Sequence, residues 1–147
     1  MSPASSIPGE GHPIQEMNPF FAVLAAAYIF GIFFFSDSSV VSRISEFNPY
    51  SLLHIPLYGL LTVLLLLTFI PKPGRNLSAR YQVAAWIAAV AVGILDEYHQ
   101  CFIPSREASV TDVLLDILGT GLVMLLAWRF PPHRWTKPFE KLGWRTR

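Results

Sequence analysis

The chain has 147 residues, 52% of them hydrophobic and 14% charged, with a formal net charge of +1 and a mean hydropathy of +0.43. So apolar a composition excludes an ordinary soluble domain of this length and gives no reason to expect a nucleic-acid partner. The lone cysteine, Cys101, excludes an intramolecular disulfide.

Residues 1–18, MSPASSIPGEGHPIQEMN, carry Glu10 and Glu16 but no Lys or Arg. They lack the positive start of a secretory signal peptide and read as a short disordered lead, so the apolar run behind them is expected to be retained as a span. Four apolar segments follow, at 19–35, 52–70, about 81–95 and about 110–128. A helix rising about 1.5 Å per residue needs roughly 20 residues to cross a hydrocarbon core of about 30 Å. The first and third segments are short for that and are expected to extend, the first into Asn18 or Ser36 and the third into Asp96 to Gln100. Between the segments lie a serine-rich loop, a breaker-rich loop with Pro71, Pro73 and Gly74, and the connection CFIPSREAS with Pro104. Pro131 and Pro132 stop the last segment. The expected fold is all-α: a polytopic membrane protein with four transmembrane helices in a compact bundle. Its expected parts are the lead (1–18), the four-helix domain (19–129) and a basic interfacial tail (130–147).

Nine Lys and Arg residues fall in the second loop and tail (Lys72, Arg75, Arg80, Arg129, Arg134, Lys137, Lys141, Arg145 and Arg147), against Arg43 and Arg106 in the other two loops. With four spans this asymmetry puts both termini in the cytoplasm and the first and third loops outside. Ala85, Ala89 and Gly93 recur every four residues, as do Ala27 and Gly31, and predict close helix contacts, with Gly119 and Gly121 candidates for the same role. Trp135, Phe139 and Leu142 stand at helical spacing among basic residues, the pattern of a membrane-surface anchor.

The acids and histidines of the spans belong to the outer half. His54 and Tyr58 begin the second span, Asp96, Glu97, His99 and Gln100 end the third, and Asp112 and Asp116 begin the fourth. At about 100° per residue Asp96, Glu97, His99 and Gln100 share an arc with Gly93, while Asp112 and Asp116 share a face with Thr120. Asp116 lies roughly 10 Å into its helix, where lipid exposure is costly, so it should face the bundle. Plainer roles stand beside these. Ser109 and Asp112 have the form of a capping box, and His54 could be a satisfied interhelical partner. Arg106 could pair with Asp96, Glu97 or Asp112, or offer its planar fork to an anion. Cys101 reads as inert packing. The spacing fits neither HExxH nor a Cys/His zinc pattern, so neither metal nor cofactor is expected.

The stretch DEYHQCFIPSREASVTDVLLDILGTG resembles the signature of the VanZ-like family, DExxQxFxxxRxxSxxDxxxNxxGxxxG. Asp96, Glu97, Gln100, Phe102, Arg106, Ser109, Asp112 and Gly119 fall on its positions. His54, Tyr58 and Gly59 resemble the family's second span, and the likeness covers roughly residues 20–128. Asp116 stands where the pattern has Asn, Val123 where it has Gly, and Ser51 where a lysine is usual. The resemblance implies a small four-span protein of the bacterial cell envelope. It also implies a link to low-level resistance to the glycopeptide teicoplanin, the property of the founding member.

The expected site comprises His54, Tyr58, Asp96, Glu97, Gln100, Arg106, Asp112 and Asp116, in an outward-facing pocket of a protein in the bacterial cytoplasmic (inner) membrane. Its expected partners are membrane lipids and an anionic headgroup, cell-wall precursor or glycopeptide. Two other readings fit the same residues. One is an intramembrane hydrolase or transferase on a lipid-linked substrate, using Asp96 or Glu97 with His54 or His99. The other is a charge-paired structural brace, so the sequence leaves catalysis open.

Overall fold

The computed structural model describes residues 17–36, 48–69, 77–104 and 108–135. Among these lie four α-helices, α1 (Pro19–Ser36), α2 (His54–Thr68), α3 (Ala79–Gln100) and α4 (Val110–Arg129), with 3-10 turns at Asn48–Leu53 and Pro132–Arg134 and no strand. Four helical stretches, Pro19–Ser36, Ser51–Thr68, Ala79–Gln100 and Val110–Arg129, are long and apolar enough to cross a membrane. Both expected extensions are present, α1 running to Ser36 and α3 to Gln100.

The helix ends follow from local chemistry. Pro19 opens α1 where its missing N–H costs nothing, and the Asn18 Oδ1 accepts a hydrogen bond from the Phe20 N–H at 3.1 Å. Pro56 is tolerated in the first turn of α2 for the same reason. Pro131 and Pro132 follow the end of α4. The Asn18 N–H donates to the Thr68 carbonyl at 2.8 Å, joining the start of α1 to the end of α2.

Helix α2 is central, packing most extensively on α4 and also on α1 and α3. One apolar cluster gathers Ile32, Tyr58, Leu61 and Ala89. A second, towards the far end, gathers Leu66, Leu77, Ala85 and Ala127. Buried Thr62, Thr68 and Thr120 hydroxyls donate to carbonyls of their own helices at 2.8, 3.0 and 2.9 Å. That local satisfaction suits a solvent with no water to offer. Outside, Phe30, Phe34, Ile87, Ile94, Leu125 and Trp128 are exposed, the apolar skin that lipid covers.

Ala85, Ala89 and Gly93 are all buried, as their spacing predicts. Ala27 and Gly31 differ: Ala27 is exposed, Gly31 faces open space, and α1 instead buries Phe21, Ala25 and Ile32. Small size permits close approach but does not select the face, and here the larger apolar side chains decide it. Gly121 also faces open space, whereas a Cβ on Gly119 would run into the Ile55 carbonyl oxygen. Helices α2 and α4 therefore meet backbone to backbone at Gly119. Val123 packs over Gly59, whose own Cβ would lie 3.5 Å from the Val123 Cγ2, so the missing glycine of α4 is matched by one on α2. Trp135 packs against the second cluster, while Phe139 and Leu142 lie outside the described residues.

Candidate functional site

The close seat of Gly119 against Ile55 sets the first turn of α2 beside the second turn of α4. There His54 Nδ1 lies 2.8 Å from the Asp116 Oδ1. With the carboxylate as acceptor the ring proton sits on Nδ1, and Nε2 points at the Asp112 Oδ2, 3.9 Å away. One turn further along α2, Tyr58 stacks on the His54 ring with centroids 6.0 Å apart. The Tyr58 hydroxyl donates to the Asp96 Oδ2 at 3.1 Å.

Helix α3 supplies the other wall. Gln100 Nε2 donates to the Asp96 Oδ2 at 3.1 Å and lies 3.3 Å from the Glu97 Oε1. The Glu97 Oε2 accepts the backbone N–H of Ser109 at 2.8 Å, at the start of α4. Gly93 makes room for Asp116, since a Cβ there would fall 2.7 Å from the Asp116 Oδ2. Ser36, at the end of α1, places its buried Oγ beside Asp96, short of hydrogen-bond geometry.

The cluster is buried and short of partners. His54, Tyr58, Asp96, Glu97, Gln100 and Asp116 are all at most 4% exposed, and the Asp112 side chain is 13% exposed. Buried Asp96 Oδ1, Asp112 Oδ1 and Asp116 Oδ2 accept no hydrogen bond among the described residues. Among the described residues no Lys or Arg pairs with the four carboxylates, and the one basic side chain beside them is the His54 imidazole. One ligand atom each of His54, Glu97 and Asp112 lie within 4.8 Å of one another.

The fold thus brings together His54, Tyr58, Asp96, Glu97, Gln100, Asp112 and Asp116, while Arg106 lies outside the described residues. Three local expectations are corrected. His99 turns to α1, where its ring meets Phe33 edge-on at 5.6 Å, because α1 packs on that side of α3. Ser109 stands at the N-cap of α4 with no side-chain cap. Its own N–H is instead held by Glu97 from the preceding helix, so the capping box is not formed. Cys101 is exposed rather than packed. Sequence reasoning missed the part of Ser36, whose only signal was its position at the end of a span.

Four membrane-crossing helices around a buried polar cluster at one end define a small multi-pass membrane protein. Residues 20–131 match the VanZ/LLP1 family, and the chain belongs to that family. No curated protein and no solved structure matches the chain.

Proposed function

We propose that this VanZ/LLP1 protein resides in the bacterial cytoplasmic membrane and binds the headgroup of an envelope lipid, a cell-wall precursor or a glycopeptide in an outward-facing polar site. The observation that carries this reading is the set of buried carboxylate oxygens on Asp96, Asp112 and Asp116 that accept no hydrogen bond among the described residues. Ionisable groups are costly within a membrane domain and mark binding or transport sites there. Acceptors held in this way are complementary to the hydroxyls of sugars and to amines, which headgroups, cell-wall precursors and glycopeptides carry. The outward orientation is supported by the Lys and Arg distribution. The link to glycopeptide resistance belongs to the same reading.

The test is direct binding to the full chain in nanodiscs, with teicoplanin, a lipid-linked cell-wall precursor, phosphatidylethanolamine and phosphatidylglycerol offered in turn. At least one should bind, about tenfold or more weaker in Asp112→Asn, at the cost of about 1.4 kcal/mol expected for a charged hydrogen bond, and unchanged in the lipid-facing Leu125→Ala. Absence of binding by all four would overturn the proposal. The Asp116-oriented imidazole favours one further reading, hydrolysis of a lipid-linked substrate with His54 as base. Turnover by the parent, abolished in His54→Gln, would replace binding with catalysis.

A further inference from the structure

We infer that His54, Glu97 and Asp112 form a site for a divalent cation of the zinc or manganese type. Their three ligand atoms already lie within 4.8 Å of one another. Around an ion with bonds of about 2.0–2.2 Å, ligand atoms sit roughly 3–4.4 Å apart, so a slight closure completes the set. One imidazole and two carboxylates suit a first-row divalent ion better than a soft monovalent one.

The surroundings of His54 point to a ligand independently of that proximity. Its side chain is 5% exposed, and among the described residues only Nδ1 makes a hydrogen bond. The Asp112 Oδ2 stands 3.9 Å from Nε2, too far for one. Nδ1 is held at 2.8 Å by Asp116, which is 1% exposed. A metal-bound histidine commonly has its other ring nitrogen held by a carboxylate in this way, which fixes the tautomer and aims the lone pair. Glu97 is steadied through Ser109 and Gln100, and each of its oxygens keeps a second lone pair. The Asp112 Oδ1 is buried without a partner. Among the described residues the carboxyls of Asp96, Glu97, Asp112 and Asp116 gather around one imidazole with no Lys or Arg paired to them, an arrangement that a doubly charged ion suits.

Three protein ligands leave coordination positions open. They would accept a phosphate oxygen of a headgroup, giving an acid-lined site an affinity for anions. That last step alone rests on the function proposed above.

The experiment uses the full chain in nanodiscs, stripped with a chelator and titrated separately with Zn2+, Mn2+ and Mg2+. Bound metal is counted by elemental analysis, and the Mn2+ form is examined by pulsed electron paramagnetic resonance. The parent should hold one Zn2+ or Mn2+ per chain and show nitrogen coupling from one imidazole. Asp112→Asn and Glu97→Gln should bind at least 100-fold more weakly. Asp116→Asn, which leaves the three ligand atoms in place but weakens the support of His54, should bind about 10–100-fold more weakly. The nitrogen coupling needs no variant, so it decides the matter even if a substitution unfolds the bundle. A folded parent with no stoichiometric metal, or with bound Mn2+ free of nitrogen coupling, would overturn the inference. Metal binding without headgroup binding would uphold this site and remove the proposed function. Headgroup binding by a chain that takes up no metal would do the reverse.

Discussion

Asp116 owes its position to what its neighbours lack. Gly93 has no side chain to fill the space of the Asp116 Oδ2, and the carboxylate can therefore turn its other oxygen to His54. In Gly93→Ala the new Cβ would stand 2.7 Å from that oxygen, forcing the carboxylate away and weakening the His54 bond. The two positions should be energetically coupled. Gly93→Ala is expected to destabilise the parent, and to do so less in an Asp116→Ala background, by a coupling of about 0.5–3 kcal/mol in a double-mutant cycle followed by denaturation in detergent. Additive effects would disprove the contact. The inward position of Asp116 was legible from its depth in an apolar helix. That Gly93 faces it was not, because the register between two helices depends on how both pack against a third.

At the scale of the helix pair, Gly119 and Gly59 look alike in sequence but do different work. A side chain on Gly119 collides with the Ile55 backbone, which cannot rotate aside, whereas one on Gly59 meets Gly119 and Val123 at an ordinary 3.5 Å. Gly119→Ala should thus cost about 1–3 kcal/mol, as overpacking generally does. Gly59→Ala should stay below about 1 kcal/mol, and Gly121→Ala, facing open space, within about 0.5 kcal/mol. Thermal or detergent unfolding of the three purified variants gives the comparison, and equal losses at 59 and 119 would contradict the packing. The four helices and their extents were readable because a membrane imposes a length and an apolar composition on each span. The choice of buried face on α1 was not, since an almost uniformly apolar helix carries no stripe to betray it: Ala27 and Gly31 look like a contact, and Ala25 and Ile32 make one. The helix pair α3 and α4 gave up its polar residues but not their pairing, as Glu97 reaching Ser109 across the loop shows.

For the molecule as a whole, orientation is the property on which an outward-facing site depends. Reporters fused after Arg75 and after Arg106 should read opposite sides, the first active in the cytoplasm and the second outside. A cytoplasmic signal after Arg106 would turn the cluster inward and exclude any extracellular headgroup. The seat of Gly119 on the Ile55 carbonyl has a mechanical consequence for a bundle in a bilayer of variable thickness, where helices accommodate mismatch by tilting. If α2 and α4 pivot at that seat, a tilt of about 10° would carry their far ends, roughly 15–20 Å away, through about 2.5–3.5 Å. His54 adjoins Ile55, and Asp116 lies within a turn of Gly119, so both stand almost on the fulcrum and move by less than about 1 Å. Such a pivot lets α2 and α4 follow the membrane while His54 and Asp116 keep their spacing.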